Sequence, residues 1–257
     1  MRCPAFLFSP RYPRFLLGVF LAWFAAWAIH PWFPQDFIIE HVLTAAFLAL
    51  LVATHRRFPL SNVSYTLIFL FLSLHVIGAH YTYSKVPYEE WAAAVASALG
   101  WKDLRLNDAL GFSRNHFDRL VHLAFGLLLA YPAREVFIRI ARARGFWGYF
   151  LPVDVVMSFS LLYEVLEWVV AMVFGGDIGQ AYLGTQGDEW DAQKDMALAA
   201  SGAFLAMGVT AVVNWRLKHD FAREFAESLR RGGDDRPLGE IEIAAMLADG
   251  ESSRDPP

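Results

Sequence analysis

The sequence predicts an all-α fold: a polytopic membrane helical bundle of six transmembrane helices, with the N-terminus and the C-terminus both cytoplasmic. Three observations predict it. Hydrophobic residues make up 56% of the 257, too many for an ordinary soluble domain. They gather into six runs that approach the roughly 20 apolar residues a helix needs to cross a bilayer. Basic residues sit at alternate connections between those runs, which is the mark of cytoplasmic loops.

Taken in order, residues 1–14 are a basic leader with Arg2, Arg11, Arg14 and three prolines. The first span covers 15–30. Its flanking bases and the Ala26-Trp27-Ala28 triplet imitate a signal peptide, but with five more apolar runs behind it the segment reads as a span. An aromatic, proline-containing turn, His30 to Asp36, suits a bilayer interface. The second span, 37–54, ends in His55-Arg56-Arg57. The third, 62–80, has Ser61 or Asn62 as its cap.

An outer loop, 81–115, contains the stretch 87–99, PYEEWAAAVASAL. It reads as an interfacial helix with proline in its first turn and acids near its N-terminus, and it is too short to span. The fourth span, 116–138, runs into Arg134, Arg139, Arg142 and Arg144. The fifth, 149–174, breaks at Gly175-Gly176, and the sixth is 195–214. The tail, 215–257, begins as a charged amphipathic helix. It finishes in GGDDRP and ESSRDPP, whose composition is that of disordered chain.

Composition also excludes. No basic tract interleaved with aromatics suggests a nucleic-acid partner. The single cysteine, Cys3, cannot form an internal disulfide or anchor a metal. There is no internal repeat and no glycine-rich phosphate loop. The net charge of −4 names no partner; the partner implied by the chain as a whole is the lipid bilayer.

The polar residues within the spans fall in one leaflet. Glu40 and His41 lie near the outer end of the second span, His75 past the middle of the third and His80 at its outer end. Asp118, Arg119 and His122 occupy the first turns of the fourth. At about 1.5 Å per residue, Glu164 and Glu167 lie roughly 22 and 27 Å from the inner start of the fifth. Asp191 and Asp195 open the sixth, and Asp154, near the inner end of the fifth, is the exception. Acids at membrane depth are costly and mark functional sites.

Helical spacing groups them further. Asp118 and His122 share a face, as do Glu164 and Glu167, and as do Asp188, Asp191 and Asp195 if their helix begins at Asp188. The first four, with Arg119, are the catalytic candidates: Asp118, Arg119, His122, Glu164 and Glu167. Two acids one turn apart suit general acid and base work when their pKa values split, and arginine suits a phosphate or carboxylate head group. Asp188, Asp191 and Asp195 are the metal candidates, with His80 and His116 as additions, and a divalent cation is the cofactor they suggest.

Each has a structural reading beside it. Aspartates favour helix N-termini, Arg119 can snorkel outward, the two glutamates can be a protonated pair, and lone histidines are often hydrogen-bonded within bundles. No His-Glu-x-x-His run supports zinc. Ser160 lacks a nucleophile elbow. Gly175, Gly176, Gly179, Gly184 and Gly187 suggest that 175–190 folds over the pocket as a lid.

The stretches HYTYSKVPYEEW, RNHFDR-x-x-H, LLYEVLEW and YLGTQGDEWDAQKDM resemble the YjdF-like bacterial inner membrane proteins, a family of unknown function, across residues 15–215. More distantly, the fourth to sixth spans resemble the VanZ-like proteins. Their Asp-Lys-x-x-His-x-x-Phe-Gly pattern is similar to Asp118–Gly126, and their Ser-x-x-Tyr-Glu-x-x-Gln to Ser160–Glu167. Arg119 stands for their lysine, Glu167 for glutamine and Asp195 for asparagine. The resemblance implies a bacterial inner (plasma) membrane location and a cell-envelope setting.

The sequence therefore describes a membrane protein of unknown physiological role with an outward-facing acidic and histidine pocket. The leading reading is an enzyme acting on a lipid or envelope precursor by acid/base or metal-assisted chemistry. The alternatives are a proton- or ion-coupled transporter and a non-catalytic scaffold or sensor. The alternating bases make one direct prediction. Alkaline phosphatase fused within 81–115 is active, and the same enzyme fused after residue 229 is inactive; the opposite pattern inverts the bundle.

Overall fold

A computed structural model describes residues 11–101, 105–176, 179, 183–217, 221–229 and 246–247. Most of the basic leader with Cys3, the low-complexity tail segments and the middle of the 175–190 lid lie outside the described residues. Among them all regular secondary structure is helical. The helices are α1 (Tyr12–Trp27), α2 (Pro34–Thr54), α3 (Asn62–His80), α4 (Tyr88–Ala98), α5 (Leu106–Leu110), α6 (Phe117–Ile140), α7 (Trp147–Phe174), α8 (Asp191–Leu217) and α9 (Phe221–Ser228).

Five of them, α2, α3, α6, α7 and α8, are long and apolar enough to cross a membrane, and α1 is a shorter apolar helix. At 16 residues, α1 extends about 24 Å, short of the roughly 30 Å hydrocarbon layer. Leu161, Leu162, Val165, Trp168, Met172 and Val173 make one face of α7 broadly exposed. In water this would be a liability; in a bilayer it is the surface that meets lipid.

Local chemistry fixes the helix ends. The Ser61 side chain, rather than that of Asn62, caps α3 by accepting from the Ser64 amide at 3.2 Å. Glu135 of α6 then accepts from the Ser61 amide at 2.8 Å and from the Ser64 hydroxyl at 2.6 Å, tying α3 to α6. At its other end α3 closes with the amide of Tyr83 donating to the Gly78 carbonyl at 2.7 Å and that of Thr82 to Ala79 at 3.4 Å. This paired closure puts Thr82 at φ 52° and Tyr83 at φ 50°, a region that bulky and β-branched residues rarely occupy. Asp191 supplies the first-turn acid of α8, so this helix starts one turn before the apolar run at 195.

Among the described residues the buried aspartates, glutamates and histidines gather at one end of the bundle, its polar end. At the polar end α2, α6 and α8 begin and α1, α3 and α7 finish. Towards the other end, Ala130, Val153, Val156, Ala203, Ala206 and Met207 form one core. Phe20, Ile68, Leu72 and Val76 form another. Asp154 is exposed on the surface of α7 rather than turned into either core.

Helices α6 and α8 run parallel and make the most extensive contact in the molecule. The reason is a stripe of small residues: Gly126 and Ala130 on α6 against Ala199, Gly202, Ala203 and Ala206 on α8. A Cβ added at Gly126 would run into the Ala199 carbonyl oxygen and the Ala203 nitrogen. One added at Gly202 would run into the Leu123 carbonyl oxygen and the Leu127 nitrogen. The two glycines thus seat each helix against the other's backbone, the usual way of packing helices where the hydrophobic effect gives no drive. Because backbone cannot swing aside, Gly126→Val and Gly202→Val each destabilise the bundle by about 3 kcal/mol or more, at the upper end of overpacking penalties. Gly208→Ala, where nothing lies within 4 Å of the added atom, leaves the melting temperature in detergent unchanged.

Candidate functional site

The small-residue stripe leads directly to the polar end. On α6, Asp118, His122 and Gly126 are spaced four apart and share one face. On α8, Asp195 lies one turn before Ala199. The contact that holds Gly126 against Ala199 therefore brings the acids and imidazole of the two helices together a turn or two further on. One ligating atom each from Asp118, His122 and Asp195 lie within 4.8 Å of one another.

Glu164 of α7 completes this group. The His122 Nε2 is 3.5 Å from Asp118 Oδ1 and 3.6 Å from Glu164 Oε1, beyond ordinary hydrogen-bond length. Glu164 is 8% exposed and Asp195 only 2%. The Oε1 of the former and the Oδ1 of the latter have no hydrogen-bond partner among the described residues. Glu167, half-buried one turn along α7, faces Glu164 most strongly and then Asp118, Glu40 and Asp195.

A tier of ion pairs lies over this cluster. Arg114 binds the Asp191 carboxylate and donates from Nη1 to the Thr185 carbonyl at 2.9 Å. Arg119 binds Asp188 and lies 3.5 Å from Asp191. Lys194 reaches back to Asp188 at 2.6 Å. Asn115 and Gln186 exchange two bonds: the Asn115 amide donates to Oε1 at 3.2 Å, and Nε2 donates to the Asn115 carbonyl at 2.9 Å. The turn before α8 is thereby strapped onto the start of α6. Its path requires positive φ at Gly184, Gln186 and Gly187. Two of these are glycine, which adopts that geometry without strain.

The structure thus sorts the residues that the sequence singled out. Asp118, His122, Glu164, Glu167 and Asp195 converge. Arg119, Asp188 and Asp191 belong to the tier above, joined by Arg114, which the sequence reading left without a role. His116, just before α6, stacks on Phe112 with centroids 4.0 Å apart. His80 bonds the Trp27 carbonyl through Nδ1 at 2.7 Å and packs against the Trp27 and Tyr81 rings.

A second buried group adjoins the first. Glu40, 3% exposed, accepts from the Tyr163 hydroxyl at 2.7 Å and the Tyr83 hydroxyl at 3.3 Å. The Tyr83 oxygen is also 2.6 Å from His75 Nδ1. The rings of His75 and His41 are 5.3 Å apart, and those of Tyr163 and His122 are 6.1 Å apart. Tyr163 thus stands between the two groups. Sequence reasoning placed Glu40, His41 and His75 at this depth but missed both tyrosines, because tyrosine near a membrane surface reads first as interfacial anchoring.

The strap has a pH signature. The Lys194 ammonium, with the Trp190 amide and Arg119 behind it, lowers the Asp188 carboxyl from 3.8 to about 2. A depressed carboxyl contributes its stability in full above the ordinary value and loses it as pH falls through the lowered one. Amide protection of the turn Gly184 to Trp190 therefore holds from neutral pH to about 4 and fails only towards about 2. Asp188→Asn lowers that protection at neutral pH and converges with wild type towards about pH 2, where the carboxyl is protonated, which hydrogen exchange followed by mass spectrometry measures.

Comparison with known proteins agrees with this architecture. Residues 12–216 match the family model described as Predicted membrane protein (DUF2238). Inner membrane protein YjdF of Escherichia coli (strain K12) is 40% identical over 159 residues, which are 60% of this chain and 67% of that protein. No solved structure matches the chain significantly. With the match running from the first turn of α1 almost to the end of α8, the chain belongs to the YjdF-like family of predicted membrane proteins, DUF2238.

Proposed function

We propose that this multi-pass inner membrane protein is an enzyme working at the outer end of its bundle on a lipid or cell-envelope substrate. One observation carries the reading: Asp118, His122, Glu164 and Asp195 converge from three helices with carboxylate oxygens left unpartnered. An acid at membrane depth costs about 3 kcal/mol even on the mildest scales. A cluster kept for structure alone would use its oxygens to tie helices, as Glu135 does with Ser61, Ser64 and Arg139. These oxygens are buried and unspent.

In this reading His122 and Glu164, with Nε2 and Oε1 3.6 Å apart, are an acid/base pair that can face one reacting group. Arg114 and Arg119 stand at the mouth. Guanidinium groups recognise phosphate and carboxylate in a bidentate manner, so an anionic head group can exchange with Asp188 and Asp191 there. The apolar, exposed face of α7 beside Glu164 offers lipid a lateral approach. Glu40, Tyr83 and Tyr163 position the far wall of the site.

A transporter needs polar groups through to the opposite end. Between the cluster and the Glu135 network at the opposite end the cores are apolar, and Asp154 faces outward. This favours a one-ended site over a pathway.

The test compares lipid and envelope extracts from a strain lacking the protein, complemented with wild type or Glu164→Gln at equal membrane levels. An enzyme gives a species that accumulates in the deletion and is restored to normal by wild type alone. In Glu164→Gln turnover falls by about 10² or more, the usual contribution of an acid/base group. Identical extracts from deletion and wild type overturn the proposal.

A further inference from the structure

We infer that Asp118, His122 and Asp195 bind one divalent first-row transition ion, of the Zn²⁺ or Mn²⁺ type, with Glu164 at its open side. The inference rests on reading this cluster as a working site and names the cofactor that site uses. The sequence pattern had pointed instead to Asp188, Asp191 and Asp195. Of those only Asp195 faces the new group, since Asp188 and Asp191 are engaged by Arg119, Lys194 and Arg114.

The spacing is the first argument. Ligand bonds of about 2.0–2.2 Å hold neighbouring donor atoms roughly 3.0–3.6 Å apart around one ion. The His122 Nε2 and Asp118 Oδ1 are 3.5 Å apart, too far for a good hydrogen bond and right for two ligands of one cation. The third donor, from Asp195, lies within 4.8 Å of both.

The unpartnered oxygens are the second. Asp195 is 2% exposed, yet its Oδ1 has no hydrogen-bond partner among the described residues. A buried carboxylate oxygen normally finds a donor. Here the groups nearest to it in electrostatic terms are Asp118, His122, Asp191 and Glu164. Three of those four are acids and the fourth is an imidazole that already faces Asp118 and Glu164, so a cation suits the position.

Charge is the third. Among the described residues no lysine or arginine pairs with Asp118, Glu164 or Asp195, although Arg114 and Arg119 stand one tier above. When ionised, the three carboxylates outnumber the one imidazole, and a divalent ion offsets that charge. The fourth is rigidity. Asp118 and His122 come from adjacent turns of one helix, and the Gly126–Gly202 seat fixes α8 against it. A site of set geometry is what separates metal binding from a loose acidic patch.

The donor set selects the ion. An imidazole with carboxylates suits Zn²⁺, Mn²⁺ or Fe²⁺, whereas Mg²⁺ and Ca²⁺ prefer oxygen alone. Three protein ligands leave a position free, and Glu164 Oε1 is the unpartnered group that faces it. Bound there, the ion polarises a phosphoryl or carbonyl oxygen of the substrate.

The test uses the full chain in detergent, stripped with EDTA and dialysed against Zn²⁺, Mn²⁺ or, for comparison, Mg²⁺. Elemental analysis of wild type is expected to give about one Zn²⁺ or Mn²⁺ per chain with a raised melting temperature, and no retained Mg²⁺. Affinity falls by at least about 100-fold in His122→Gln and in Asp195→Asn, more than loss of an outer partner causes. It is unchanged in Glu135→Gln, a carboxylate at the opposite end. Wild type that retains neither ion overturns the inference without recourse to any variant, as does equal loading of wild type and the Asp118→Asn/Asp195→Asn double variant. The two proposals fail separately. Metal without a lipid phenotype leaves the ion site standing and removes the enzyme; a lipid phenotype without metal leaves acid/base chemistry and removes the ion.

Discussion

Everything at the polar end depends on two backbones lying against each other. Gly126 and Gly202 each occupy space that a Cβ would need, and the resulting contact sets the separation of α6 and α8 along their length. Asp118 and His122 continue the α6 stripe that contains Gly126, and Asp195 continues the α8 stripe that contains Ala199 and Gly202. The packing seam and the polar cluster are therefore one surface read at two depths. Where it meets apolar neighbours it carries Ala and Gly; near the head-group level it carries acid and imidazole. A spread of an ångström at the glycines would reach the polar cluster undiminished, because helices transmit displacement as rigid rods.

Above the seam, charge is separated into tiers. The arginines sit at the rim, each committed to an aspartate of the strap, while among the described residues the acids below meet no lysine or arginine, only the His122 imidazole. Placing Arg114 or Arg119 deeper would have neutralised the cluster and closed it. The second group, around Glu40, is held by local strain. Thr82 and Tyr83 both take positive φ, and an added Cβ at Gly78 would strike the Tyr83 ring. Only glycine at 78 allows the Tyr83 ring to fold back along α3 so that its hydroxyl reaches Glu40 and His75. Strain of this kind persists where surrounding structure over-determines it, and it is concentrated at functional positions.

The fold was legible in the sequence because the quantities that set it are local. The length of an apolar run and a cap such as Ser61 are both read within a few residues. The candidate site was legible in composition and not in pairing. Asp118, His122 and Glu164 could be nominated from their depth alone. What the sequence could not supply was which acid met which base: Arg114 and Asp191 are 77 residues apart, and Tyr163 and Glu40 are 123 apart. Spacing grouped Asp188, Asp191 and Asp195 as one face. The chain instead turns at 184–190, so that Asp188 and Asp191 meet arginines and Asp195 alone reaches the floor. Glycine at 126 and 202 carried the signal of close helix contact, since small residues four apart mark such seams, but the identity of the facing helix comes only from the fold.

The same separation into tiers bears on what the floor does. Two buried carboxylates near one imidazole can share protons and remain close to neutral, and that arrangement needs no cation. It does, however, bring its members to hydrogen-bond distance, because a shared proton pulls donor and acceptor together. Here His122 stands 3.5 and 3.6 Å from two acids at once, equally far from both and bonded to neither. In the neighbouring group Tyr83 and His75 are 2.6 Å apart and Tyr163 donates to Glu40 at 2.7 Å, with Tyr83 reaching Glu40 at 3.3 Å. The protein makes short hydrogen bonds around Glu40 and holds His122 at a wider separation from its two acids a helix away.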